Sequence, residues 1–208
     1  MYFPGNALVG QVIRDGALSE GEAAATEAYF VENGATTSYG AVTDFRSFWD
    51  DWSELTSFPL IDTSSGTDFY RAWRDCSGLT SFPLINTSAG TNFFQTWQGC
   101  TSLTSLPLID TSSGTSFRQA WRICTSLTTI PAGLFDNIKG GDFTEAFFDT
   151  ALTQTSIDNV LVSLVASGIA AGTRVFDQSG GSAPSATGEA AIDTLRSRGW
   201  TVTVTGGY

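Results

Sequence analysis

Phe45, Phe69, Phe93 and Phe117 recur every 24 residues. Trp49, Trp73, Trp97 and Trp121 keep the same interval, as do Leu55, Leu79, Leu103 and Leu127, and Pro59, Pro83, Pro107 and Pro131. A fixed period of about 20–50 residues constrains a chain more than its composition does. Each unit is too small to bury its own apolar face and must bury it against its neighbours. The expectation is a solenoid of stacked units over residues 41–150, with unlike segments at its two ends.

Each unit divides into three parts. In the first, such as Asp68–Asp75, Phe69 and Trp73 are four apart, which predicts one face of a helical turn. Asp68, Asn92 and Ser116 precede it as N-caps. The second part, Leu79 to Leu84, has the spacing L-x-x-L-x-L of a leucine-rich-repeat strand. Stacked strands of this kind would form a parallel sheet. Proline gives no N–H to a ladder, so each strand is expected to be short, about Thr80 to Phe82. Ile61, Ile85 and Ile109 then either fill the core, the favoured reading, or line an apolar surface stripe. The third part, such as Asp62–Thr67, is a turn of residues that bond to their own backbone.

The flanks differ from the units. Ser19 with Glu22 makes a capping box ahead of a predicted helix to Asn33, so residues 1–40 read as an N-terminal cap. After the fourth unit the interval lengthens to 26, from Phe117 to Phe143. Phe143, Phe147 and Leu152 open a fifth unit that does not finish. A helix capped by Ser156 follows, with Ile157, Val160, Leu161, Leu164 and Val165 at helical spacing and Gly168 at its end. Next come a strand near Arg174–Asp177, a helix over Ser185–Ser197 with Ala190, Ala191, Ile192 and Leu195 inward, and a strand over Trp200–Thr205. This βαβ pattern makes residues 151–208 the C-terminal cap. The predicted fold class is thus α/β: a leucine-rich-repeat solenoid with short parallel strands, short helical turns, a helical N-cap and a βαβ C-terminal cap, all one continuous domain.

Charge narrows the partners. A formal charge of −11 with one lysine, Lys139, disfavours nucleic acid and anionic membrane surfaces. No apolar run approaches the length of a membrane span. The opening MYFPGNALVGQVIRDG lacks a basic n-region and a continuous apolar stretch, so a secretory leader is not expected there. Cys76, Cys100 and Cys124 occupy one column of the repeat, which predicts small buried side chains, not a disulfide framework or a zinc site.

Catalytic devices are not expected. Without histidine there is no Ser-His-Asp or Cys-His arrangement. Gly180-Gly181 is a weak phosphate cradle, more simply a loop. Asp50 and Asp51 are adjacent in a turn and are not expected to face each other as a carboxylate pair. Asp62, Asp110 and Asp142 at unit edges are weak calcium candidates, since Asn86 replaces Asp in one unit. No catalytic, metal or cofactor site is assigned.

The run Asp-Thr-Ser-Ser-Gly-Thr-Asp-Phe-Tyr-Arg-Ala-Trp-Arg-Asp-Cys-Ser-Gly-Leu-Thr-Ser-Phe, Asp62 to Phe82, resembles the BspA-like leucine-rich repeats of bacterial surface proteins. Phe69 stands where that family has its first methionine, and Trp73 where it has phenylalanine. The Trp together with the short Phe-Pro-Leu-Ile-Asp joint, and the tail from Ala183 to Gly188 and Arg198 to Val202, are similar to repeat modules of marine phage tail-fibre-like proteins. The resemblance implies surface display and adhesion, at a cell or virion surface, and supplies no catalytic residues.

Two sets of positions follow. Phe69, Trp73, Cys76, Leu79, Phe93, Trp97, Cys100, Leu103, Phe117, Trp121, Cys124 and Leu127 are the expected structural core, although regular tryptophans also raise a sugar-stacking reading. Tyr70, Arg71, Arg74, Asp75, Phe94, Gln95, Gln98, Arg118, Gln119 and Arg122 vary between units while their flanks do not, and are the candidate ligand contacts. Three functions compete. One is a non-enzymatic adhesin or receptor-binding module that grips a host or cell-surface protein or glycan, as a monomeric module or part of a larger fibre. The second is a spacer without a ligand. The third is an ice-ordering surface built on the columns Thr56, Thr80, Thr104, Thr128 and Thr63, Thr87, Thr111.

Overall fold

The computed structural model describes residues 42–170 and 174–208. The helix predicted over Ser19–Asn33, and with it the N-terminal cap assigned to residues 1–40, lies outside the described residues. What is described is a mixed α/β protein with a parallel three-stranded sheet and two helices.

Between Val42 and Thr150, equivalent residues of successive units lie against one another. Parallel bridges join Asp44 to Asp68, Asp68 to Asn92, Asn92 to Ser116 and Ser116 to Asp142. The Phe column stacks face to face at 5.3, 5.5, 5.3 and 5.1 Å from Phe45 to Phe143, with ring planes within 9° of parallel. The Trp column does the same at 5.1, 5.7 and 5.4 Å, and Phe147 completes it against Trp121 at 4.9 Å. Each such pair adds about 0.5–1.5 kcal/mol beyond its buried area. Ile61, Ile85 and Ile109 are buried, so they belong to the core.

The first part of each unit is not the helical turn its apolar spacing predicts. Its N–H groups alternate between two destinations. Phe69, Arg71, Trp73 and Asp75 donate to the carbonyls of Asn92, Phe94, Thr96 and Gln98 in the next unit. Ala72, Arg74 and Cys76 donate back to Phe69, Arg71 and Trp73. The Tyr70 N–H goes to Asp68 Oδ1, so Asp68 does cap, through a local turn. Every N–H from Phe69 to Cys76 is thereby satisfied. The arrangement needs left-handed backbone at two places per unit: Ser47 and Asp51, Arg71 and Asp75, Gln95 and Gly99, Gln119 and Ile123, Glu145 and Asp149. Burial still falls at Phe69, Ala72, Trp73 and Cys76, the spacing that read as helical.

The predicted strand Thr80–Phe82 is also absent among the described residues. A threonine rung survives in each unit, where the Thr80 N–H donates to Thr56 O, Thr104 to Thr80 and Thr128 to Thr104, and a further bond, Leu106 N–H to Thr129 O, joins the third and fourth units. The prolines remove the next donors, and Ile85 and Ile109 bond back to Pro83 and Pro107 in tight turns. At that turn the last leucine of the L-x-x-L-x-L run faces solvent: Leu60, Leu84 and Leu108 are 66%, 61% and 54% exposed.

The fifth copy of the first segment forms a strand, β1 (Phe143–Thr150), with bulges that keep Glu145 and Asp149 left-handed. It pairs in parallel with β2 (Arg174–Gly180), which pairs in parallel with β3 (Trp200–Thr203). The C-terminal sheet therefore continues the row that the first segments occupy, not the threonine rung. At this junction the Glu145 N–H donates to Asp177 Oδ2 and the Asp149 N–H to Ser179 Oγ.

Helix α1 (Gln154–Ala166) begins at Thr153, whose hydroxyl accepts from the Ser156 N–H, three residues before the predicted cap. Ser156 serves the repeat instead, its hydroxyl accepting the Ile130 N–H. Ser163 likewise accepts the Phe135 N–H and donates to Asp136 Oδ1. Two serines of one helix thus satisfy backbone that no further unit covers. Helix α2 (Ala186–Ser197) is capped by Ser185 and buries Ala191, Ile192 and Leu195, while Ala190, expected inward, is exposed. Gly168 and Gly199, both at positive φ, end the two helices.

Candidate binding face

The invariant columns of the repeat are used up inside the molecule. Phe69, Trp73, Cys76 and Leu79, Phe93, Trp97, Cys100 and Leu103, and Phe117, Trp121, Cys124 and Leu127 all have no exposed surface. The indoles of Trp73, Trp97 and Trp121 face their own neighbours and not solvent, so they offer no platform for a sugar. Each thiol donates to a tryptophan carbonyl one unit back: Cys76 to Trp49, Cys100 to Trp73 and Cys124 to Trp97, at 3.0, 3.1 and 3.0 Å. Burial pushes the Cys76 thiol up to about 12 and raises Cys100 and Cys124 as well, so all three are protonated and inert.

The turns and threonines are committed too. Asp62, Asn86 and Asp110 each accept the N–H two residues on with their own Oδ1, and Asp142 holds Thr144 in the same way. The Thr63 and Thr87 hydroxyls donate to the carbonyls of Asn86 and Asp110 in the next unit, and Thr111 to Leu134. Thr80, Thr104 and Thr128 donate one unit back. Gly180 and Gly181 allow a close backbone approach, since a Cβ on either would collide with the carbonyl oxygen of Thr150 or Leu152.

The variable positions lie together on one face, in columns set by the first segment. Tyr70, Phe94 and Arg118 hold one register position in three units, their carbonyls accepting from Ser47, Arg71 and Gln95. The Tyr70 and Phe94 rings are tilted neighbours at 5.4 Å, and the Arg71 guanidinium lies 4.9 Å over Tyr70. The next column is a hydrogen-bonded ladder. Arg71 Nε donates to Gln95 Oε1, Gln95 Nε2 to Gln119 Oε1, and Gln119 Nε2 to Glu145 Oε2, each at 2.7 Å. Arg122 Nε adds a second bond to that Glu145 oxygen at 3.0 Å. Gln95 is buried in this ladder and is not an outward contact.

Arg74 lies further round the face. It reaches Asp50 at 2.6 Å, Asp51 at 3.4 Å and Asp75 at 3.6 Å. Asp50 and Asp51 do converge, contrary to the sequence expectation, because Asp51 and Asp75 share the left-handed position that turns both carboxylates toward Asp50 and the Arg74 guanidinium. Burial pushes the Asp75 carboxyl up, Arg74 pulls it back, and Asp51 and Asp50 oppose its charge. Gln98, between Arg74 and Arg122 in register, completes the candidate set.

Comparison with protein-family models, with curated proteins and with solved structures finds no match to this chain. Among the described residues no helix is long and apolar enough to cross a membrane. Sequence reasoning missed two features. The ladder was signalled by complementary groups, Arg-Gln-Gln-Glu, in one column. The leucine stripe was signalled only by its position after proline.

Proposed function

We propose that this chain is a leucine-rich-repeat-type solenoid acting as a non-enzymatic binding module, the adhesive or receptor-binding part of a surface or phage tail-fibre protein outside the cell. The observation that carries the reading is the division of labour within each unit. Positions that repeat are spent on ring stacks, thiol and threonine bonds. Positions that vary, Tyr70, Phe94 and Arg118 first among them, project from the same face at unit spacing. Extracellular display and a cell-surface protein or glycan as ligand follow the resemblance of the repeat to surface proteins. The test is binding to a panel of bacterial cells and to a glycan array, with Tyr70, Phe94 and Arg118 exchanged between units. Loss or change of the bound set supports the module; an unchanged set removes this face from the account.

A second reading, a spacer without its own ligand, draws on the Arg71–Gln95–Gln119–Glu145 ladder. There a variable column bonds to itself, as a strut would. It predicts that neither screen finds a ligand.

A further inference from the structure

The outward face has an uneven charge pattern. The chain carries 21 acidic residues, yet none lies between Asp75 and Asp110 or between Asp110 and Asp136. The outward segments of units three and four, Phe94–Gly99 and Arg118–Ile123, are therefore free of carboxylates. The acids of the face gather at its two ends, where most are bound; Asp149, exposed at the C-terminal end, makes no ion pair among the described residues. Asp44 and Asp68 pair with Arg46, the Asp50, Asp51 and Asp75 group with Arg74, and Glu145 with Arg122.

The arginines differ in what they have left to give. Arg46 and Arg74 spend both Nε and a terminal nitrogen on carboxylates. Arg71 and Arg122 hydrogen-bond only through Nε, their guanidiniums lying over the Tyr70 and Phe148 rings, and among the described residues Arg118 is exposed and makes no ion pair. Three guanidiniums, one from each of units two and four and a second from unit four, thus keep their terminal nitrogens for an outside acceptor. A guanidinium fork matches carboxylate or sulfate with two parallel bonds. Half-exposed Tyr70 and Phe94 lie in the same register as Arg118, their rings 5.4 Å apart. That interval is close to the length of one pyranose residue.

We infer that the Arg71–Phe94–Arg118–Arg122 field binds an anionic polysaccharide, its carboxylate or sulfate groups on the guanidiniums and its sugar rings along Tyr70 and Phe94. The inference rests on the binding-module reading and names its ligand class. A repeating face with a cation in alternate units suits a polymer whose charge also repeats. An acidic protein segment would bring charge without a ring partner for Phe94.

The test uses the full chain at low salt against four soluble probes: alginate for carboxylate, dextran sulfate for sulfate, plain dextran, and poly-glutamate. Binding to alginate or dextran sulfate should exceed binding to dextran and poly-glutamate, and the stronger of the two identifies the anion. Arg118→Gln should weaken it about threefold to fivefold, as expected for one exposed charged contact. Phe94→Ala should weaken the polysaccharide and not poly-glutamate. Lys139→Gln, the same charge change at an exposed site off the face, should leave binding as it was. Equal losses from Lys139→Gln and Arg118→Gln would mean only bulk electrostatics and overturn the inference, as would preference for poly-glutamate. If the chain binds cells or neutral glycans through Tyr70 and Phe94 but ignores the arginine changes, the anionic ligand is wrong and the binding module stands. If exchange of the face residues changes no cell or glycan binding, both fall.

Discussion

Trp97 sits at the middle of the indole column, fully buried, 5.7 Å from Trp73 and 5.4 Å from Trp121. Its Nε1 is buried without an acceptor. Two substitutions separate the worth of the ring from the cost of that donor. Trp97→Ala loses both stacks and leaves a large void, for a loss of about 3–5 kcal/mol, a large part of a marginal total of about 5–15 kcal/mol. Trp97→Phe keeps a ring in the column. It gives up roughly 40 Å² of apolar area, about 1 kcal/mol, and opens a small cavity costing about another 1 kcal/mol. It also removes a buried donor that lacks a partner, which returns about 1–3 kcal/mol. The net change for Trp97→Phe is near zero. Urea unfolding followed by far-ultraviolet circular dichroism measures both, with the slope checked for constancy. If Trp97→Phe costs as much as Trp97→Ala, the indole N–H is doing something favourable and the stacking account of the core is wrong.

Three further outcomes follow from other elements. Cys76 ionises ordinarily near 9.0 and in the folded protein near 12, so its stabilising effect is whole below pH 9 and declines as pH rises toward 12. Stability should fall by about 1.4 kcal/mol per pH unit per thiol across that window, and Cys76→Ala should lessen the slope in alkaline urea titrations; native thiols should stay unreactive to a thiol reagent at pH 8. At Gly90 a Cβ would lie 2.5 Å from Phe93 Cζ, an atom held within the ring stack. Gly90→Ala should therefore cost about 1–3 kcal/mol by thermal melting, whereas free space there would leave the melting point unchanged. Leu84→Glu, on the exposed stripe, should change stability by no more than about 0.5 kcal/mol, while Ile85→Glu next to it should prevent folding; the opposite ranking would reverse the facing of that segment.

The stacking of units was legible because identical residues at a constant interval can share one environment only if the units superpose. The C-terminal elements were legible from Ser185, Gly168 and Gly199, whose side chains or lack of one mark helix ends. The backbone of the first segment was not. Phe69, Ala72, Trp73 and Cys76 bury at helical spacing, and a chain of turns that reaches across to the next unit produces the same pattern. Only the left-handed residues distinguish the two, and Arg71, Gln95 and Gln119 carry no sign of that conformation in their identity. The burial of Ile85 followed the favoured reading, but the exposure of Leu84 beside it was not foreseen. Proline has no N–H to keep the chain in a ladder, and the tight turn after it puts Leu84 outside while Ile85 stays in the core. Of the candidate site, the columns were readable and their occupation was not: Gln95 looked outward until its neighbours above and below were seen to bond it.

The alternating amides described for the first segment have an orientation. Phe45, Phe69, Phe93 and Phe117 all aim their N–H at the unit that follows, and so does each second residue after them. Within the first segments one edge is accordingly a row of donors and the other a row of acceptors, while the Thr67 and Thr80 N–H groups and their equivalents run the opposite way, one unit back. The donor edge terminates on the Asp177 carboxylate and the Ser179 hydroxyl, groups able to receive it. A segment that covers this row at the C-terminal end must therefore present acceptors to it, whereas one covering the same row at the other end must present donors.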